Sequence, residues 1–196
     1  HKEYRRQRQM CIRDREWLRQ CPYVVCCDGA ANTYIRSGRM PEAIVGDGDS
    51  LLPDIKERYA SLIHSEAEQE TNDLSKAFRF CLSQERKRIT IMGATGKRED
   101  HTIGNVSLLA DYMEQAEVSM MTDYGIFVPI REDSMFESYI GQQISVFNMN
   151  STALSAEGLA YPLSVFTNWW QGTLNEALAR HFIIRTEGKV LVFRVF

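Results

Sequence analysis

The run Tyr23-Val24-Val25-Cys26-Cys27 is wholly apolar and stops abruptly at Asp28-Gly29-Ala30-Ala31-Asn32. A strand with no polar face must be covered on both sides, which is the condition of a strand inside a parallel sheet. Cys26 and Cys27 then point to opposite faces. The Asp-Gly pair reads as a tight turn into a short helix that Gly38 ends, because glycine takes the left-handed geometry of a helix C′ position. The pattern repeats at once. Ala43-Ile44-Val45 is a second short strand, it ends in Gly46-Asp47-Gly48-Asp49-Ser50, and Pro53 suits the first turn of another helix. Leu62-Ile63 reads as a third strand.

Beyond Thr71-Asn72, apolar residues at Leu74, Ala77, Phe78, Cys81 and Leu82 form the stripe of a core-facing helix. Arg88–Met92 is a strand, Gly93-Ala94-Thr95-Gly96 a loop, and a second helix carries Ile103, Val106, Leu109, Ala110 and Met113. Strands alternating with helices specify βαβ units. After Tyr124 the chain changes to short alternating strands at 126–130 and 143–147. It closes with an expected hairpin, 181–185 against 189–196, around Glu187-Gly188. The expected fold is therefore α/β, an open, mainly parallel sheet over residues 16–123, followed by a smaller all-β sandwich over 124–196. The basic block Tyr4–Arg15 has neither the apolar core nor the cleavage site of a secretory signal. It reads as translated adapter sequence, and residues 1–15 are expected to lie outside the native fold.

Composition narrows the class of function. Lys and Arg number 23 against 26 Asp and Glu, so a basic excess that would draw nucleic acid or an anionic membrane is absent. No apolar run reaches the roughly 18 residues of a membrane span. Neither nucleic acid nor membrane is an expected partner. The five cysteines show no CxxC or Cys/His ligand spacing, which points to reduced thiols and a cytoplasmic protein.

The acids carry the functional signal. Asp28 ends a strand, Asp47 and Asp49 end the next, Asp73 begins a helix, and Asp100 follows a Gly-rich loop. In an open α/β sheet the strand ends share the edge where ligands bind. Five carboxylates converging there would repel one another unless a cation neutralised them. Mg2+ suits such a site, because it takes hard oxygens from one or two carboxylates plus substrate phosphates. Asp47 and Asp49, two apart on an extended strand end, would share one face. Singly, a D-x-D is common in surface turns and a strand-end Asp commonly caps a helix; the joint placement is what argues for a site. Gly93–Arg98 has the small residues and flanking cations of a phosphate cradle but is not a Walker A loop.

At these residues the chain resembles the thiamine pyrophosphokinase (thiamine diphosphokinase) family, over roughly 23–196. The shared motifs are Asp28-Gly29-Ala30-Ala31-Asn32, Gly46-Asp47-Gly48-Asp49-Ser50, Gln69-Glu70-Thr71-Asn72-Asp73 and Gly93-Ala94-Thr95-Gly96-Lys97-Arg98-Glu99-Asp100-His101. The resemblance implies transfer of pyrophosphate from Mg-ATP to the thiamine hydroxyl, giving thiamine diphosphate and AMP. It also implies a homodimer with the active site between the first domain of one subunit and the second of its partner.

Position by position, it implies Asp47, Asp49 and Asp73 as magnesium ligands, with Asp28, Arg98 and Asp100 completing the catalytic group. Gln69, Thr71, Asn72, Thr95, Arg98 and His101 fall at nucleotide positions. In the second half Gly158–Leu163 resembles the family's thiamine-site strand, with Ala160 replacing the usual Lys and Tyr161 at its stacking aromatic. Leu174 stands where the family has a serine, leaving Thr173 and Asn175 to contact thiamine. Trp169 and Trp170 fit either cation–π cover of the thiazolium or packing. The family's usual first strand, ahead of the Asp28 strand, is not found. Two other readings remain: a non-catalytic thiamine- or nucleotide-binding protein, and another D-x-D metal-dependent nucleotide transferase or hydrolase.

Overall fold

The computed structural model describes residues 17–196 apart from 67 and 69. The block Tyr4–Arg15 and Gln69 therefore lie outside the described residues. The chain packs as two compact units that divide between Glu85 and Arg86.

In the first unit β1 (Val25–Cys27), β2 (Ala43–Gly46) and β3 (Ile63–Ser65) form a parallel sheet in the order β1-β2-β3. Helices α1 (Ala30–Arg36) and α2 (Pro53–Arg58) make the two crossovers. Pro53 occupies the first turn of α2, and Gly38, at φ 83°, closes α1 by donating its N–H to the Ile35 carbonyl. Helix α3 (Asp73–Ser83) begins at an Asn72 N-cap whose Oδ1 accepts the Ser75 N–H at 2.9 Å.

The apolar strands are covered on both faces, as their composition requires. Cys26 and Ile44 pack with Ala31, Tyr34, Leu51 and Ile55 of the α1–α2 layer, while Ala43 and Val45 pack with Ala77 of α3, joined by Cys27. The neighbouring cysteines do diverge. Burial pushes both thiols up to about 12; for Cys27 the Asp73 carboxylate adds to that effect.

The second unit opens with β4 (Arg88–Met92), α4 (Glu99–Ser107), α5 (Leu109–Tyr112) and β5 (Glu117–Met121), and β4 pairs with β5 in parallel. The single helix expected over 103–113 is thus two, divided at Leu108. No interval separates this βαβ unit from the strands that follow. A turn at 122–125, in which the Thr122 N–H donates to the Gly125 carbonyl at 2.8 Å, sends β5 straight into β6 (Gly125–Ile130). The result is one six-stranded sheet ordered β10-β8-β12-β6-β5-β4, with β8 (Gln143–Asn148), β10 (Asn175–Glu176) and β12 (Val190–Val195). Gly125 is required there, since a Cβ would stand 2.2 Å from the Arg194 carbonyl oxygen.

The second sheet is β7-β11-β9, made of β7 (Ser134–Glu137), β9 (Leu154–Glu157) and β11 (His181–Thr186). This corrects the expected terminal hairpin. The strands flanking Glu187-Gly188 do not pair with each other; β11 lies in one sheet and β12 in the other. Each has an apolar face to bury, and Phe182, Ile184, Val190 and Val192 meet in one core between the sheets.

Candidate active site

Parallel strands put their carboxyl ends on one edge, and that edge of β1–β2 is acidic. Asp28 follows β1 at φ 36°, is 5% exposed, and donates its backbone N–H to the Val45 carbonyl at 2.9 Å. Its Oδ2 accepts the Ser50 N–H at 3.0 Å, whereas its buried Oδ1 has no hydrogen-bond partner. A buried carboxylate oxygen without a donor is costly unless something outside the protein satisfies it.

The Gly46–Ser50 segment is folded back against this acid. A Cβ at Gly46 would lie 2.8 Å from Asp28 Cβ and 3.4 Å from Asp73 Oδ1, so the close approach needs glycine. Contrary to the extended strand end expected, β2 stops at Gly46 and residues 47–50 turn. Asp47 Oδ1 accepts the Asp49 N–H at 3.1 Å, and Gly48 is at φ 75°. Asp47 and Asp49 are both exposed.

Asp73, on the first turn of α3, completes the group. Burial raises its pKa, the Asp28 and Asp47 carboxylates raise it further, and Lys76, whose Nζ is 3.5 Å from Asp73 Oδ1, opposes them. The first unit therefore brings Asp28, Asp47 and Asp73 within electrostatic reach of one another, with Asp49 hydrogen-bonded to Asp47. Among the described residues no group of three or more His, Cys, Asp or Glu side chains is drawn close enough to hold a metal ion unaided.

Asp100 and Arg98 belong to the second unit, where they form a fork. Arg98 Nε donates to Asp100 Oδ1 at 3.0 Å, Nη2 donates to Oδ2, and both side chains are exposed. The Arg98 guanidinium, with the His101 N–H at 2.9 Å, holds the Asp100 carboxyl down at about 2. The loop containing Thr95 is anchored by its own helix: Asn105 Nδ2 donates to the Ala94 carbonyl at 2.8 Å. Thr71 contacts Glu68 through both N–H (2.6 Å) and Oγ1 (2.8 Å), and Arg79 donates to its hydroxyl at 3.1 Å.

The residues expected at thiamine are mostly occupied by the backbone. Asn175 is 5% exposed and grips Tyr161 from both sides: Oδ1 accepts the Tyr161 N–H at 3.0 Å, and Nδ2 donates to the Tyr161 carbonyl at 2.8 Å. Thr173 Oγ1 donates to the Trp170 carbonyl at 2.7 Å. The Tyr161 side chain itself is exposed, as are Trp170 (73%) and Leu174 (78%). Trp169 meets Phe147 edge-on at 5.9 Å from a short 3-10 turn, Trp169–Gly172.

Three further residues, given no role from the sequence, shape this edge. Asn32 clamps the acidic loop, its Nδ2 donating to Ser50 O at 2.8 Å and its Oδ1 accepting the Leu52 N–H at 3.0 Å. Lys56 Nζ donates to the Gly48 carbonyl at 3.0 Å. Lys76 is 3% exposed. Asn32 stands in the shared Asp28–Asn32 motif, and Lys76 had a local signal, since helical i, i+3 spacing places it beside Asp73.

Two sequence families match, described as "Thiamin pyrophosphokinase, catalytic domain" over residues 15–121 and "Thiamin pyrophosphokinase, substrate-binding domain" over 125–193. Thiamine pyrophosphokinase 1 of Oryza sativa subsp. japonica is 30% identical over 129 residues, covering 53% of this chain and 49% of its own. The match thus spans about half the length of that curated relative. Among solved structures, thiamine pyrophosphokinase from Bacillus subtilis superposes with a TM-score of 0.77 at 21% identity, covering 88% of this chain and 87% of that one. Thiamin pyrophosphokinase from Candida albicans gives 0.77 at 19% identity, covering 96% and 86%. At such identities the structural likeness speaks for the fold.

Proposed function

Because the chain belongs to the thiamin pyrophosphokinase family, we propose that it moves the pyrophosphoryl group of ATP onto the hydroxyl of thiamine. The hydroxyl oxygen bonds to the β-phosphorus as the bond from that phosphorus to the α-phosphate oxygen breaks. AMP leaves, and a carboxylate of the acidic edge takes the hydroxyl proton. The observation that carries this reading is the gathering of Asp28, Asp47 and Asp73 at the end of a parallel sheet, with one buried Asp28 oxygen left unsatisfied.

That donor set fits Mg2+. All the donors are hard oxygens, the kind Mg2+ takes together with phosphate and water. Asp47, Asp49 and Asp73 would hold it, and the chemistry it supplies when bound is neutralisation of phosphate charge. The protein's own work is positioning and electrostatics. Asn32 and Lys56 hold the acidic loop in shape, Arg98 offers its guanidinium to the phosphates, and Asn175 sets the backbone from which Tyr161 presents its ring to thiamine. Gln69, Thr71, Asn72, Thr95 and His101 are assigned to the nucleotide.

The proposed functional division is 16–123 for nucleotide and metal and 124–196 for thiamine, which the two family spans support. We place the protein in the cytoplasm, in keeping with thiols at Cys21, Cys26 and Cys27 that form no disulfide. Among the described residues no helix is long and apolar enough to cross a membrane. The exposed Tyr161, Trp170 and Leu174 support a homodimer that covers them.

The test is product analysis after incubation with Mg-ATP, with and without thiamine. AMP and thiamine diphosphate should appear together and in equal amounts. ADP, nucleotide turnover independent of thiamine, or thiamine binding without turnover would each overturn the proposal.

A further inference from the structure

A lysine rarely lies fully buried unless an anion faces it, because an ammonium removed from water loses its hydration. Lys76 is 3% exposed on α3, within the run Ser75–Phe78 that is buried on every side of the helix. Its Nζ lies 3.5 Å from Asp73 Oδ1, across one helical turn. The neighbouring anions on that edge are Asp28, itself buried with one oxygen unsatisfied, and Asp47. Lys56 Nζ donates to the Gly48 carbonyl at 3.0 Å.

We infer that Lys76 is a positioning residue for Asp73: its buried ammonium fixes that carboxylate beside Asp28 and Asp47, in readiness for a divalent cation. The inference rests on the reading of Asp73 as a metal-holding acid. A carboxylate tethered through one oxygen has its other oxygen directed and its rotation limited, so less order is lost when a cation binds. The tethered charge also offsets part of the repulsion among the three acids, letting them stand together before any cation arrives.

The experiment measures binding of Mn2+ alone to the full chain, following free Mn2+ by electron paramagnetic resonance with neither nucleotide nor thiamine present. Lys76→Met should weaken Mn2+ binding by about tenfold, the lower end of the range for residues that orient a metal ligand. Lys76→Arg, which keeps the charge, should recover most of that loss. In an Asp73→Asn background, Lys76→Met should have no further effect, because the residue through which it acts is gone. Should Lys76→Met not be recovered folded, Lys76→Gln serves with the same expected weakening. Mn2+ affinity unchanged or tighter in Lys76→Met, or an undiminished effect in the Asp73→Asn background, overturns the inference. Since no turnover is involved, the two readings fail separately. A chain that shows the Lys76 effect yet forms no AMP refutes only the enzymatic proposal.

Discussion

Asn175 shows how a side chain placed at a ligand by sequence becomes part of the scaffold once its partners are known. Its amide satisfies the Tyr161 N–H and carbonyl, and its Oδ1 also accepts the Glu176 N–H at 2.9 Å. Asn175→Ala would leave three backbone groups without that partner, and should destabilise the fold by about 2–3 kcal/mol, read as a lower urea midpoint. An unchanged midpoint would return Asn175 to the list of free ligand contacts. Asp100 offers a second test at this scale. Arg98 holds its folded pKa at about 2, below the roughly 3.9 of an unfolded Asp. The pair's stabilising effect is therefore complete above about pH 4 and is lost as pH falls through about 2. Carbon NMR of the Asp100 carboxyl should show a midpoint near 2, and Arg98→Met should move it back toward 4. A wild-type midpoint near 4 would mean that the fork does not form in solution.

Between elements, the decisive contact is the one that presses the turn after β2 against the turn after β1. Gly46 permits it, having no Cβ to meet Asp28 at 2.8 Å. Gly46→Ala should cost about 1–3 kcal/mol and displace the Asp28 carboxylate, so both the urea midpoint and Mn2+ affinity should fall. Full retention of both would show that the two turns are less tightly joined. The strands and helices that form this edge were legible beforehand. Apolar runs at 23–27 and 43–45, the α3 stripe and Pro53 all fell where β1, β2, α3 and α2 stand. Less legible were β5, β7, β9 and the two-residue β10, whose sequences lack a long apolar run and depend on pairing with distant strands.

On the scale of the molecule, the family spans meet between residues 121 and 125, whereas the compact units divide between Glu85 and Arg86. The difference has a physical cause within the second unit. β5 pairs with β6 at Met120–Phe127 and Met121–Ile126, so β4 and β5 extend the sandwich's larger sheet. Lys189 of the β11–β12 connection reinforces the join, its Nζ donating to the Ala110 carbonyl at 2.7 Å and pairing with Glu114 at 2.8 Å. Hydrogen exchange should therefore group β4 and β5 with β6, β8 and β12 in one cooperative unit. Grouping with β1–β3 instead would contradict the division at residue 85. What the sequence determined alone was the apolar strands β1 and β2, the α3 stripe, the Pro53 helix start and the family, since those burial patterns and turn residues are adjacent in the chain. Which acids meet, why Lys76 is buried, what Asn175 grips and why β11 and β12 part company were decided only by tertiary structure. Those outcomes depend on partners brought together by folding, and a residue's neighbours along the chain carry no record of them.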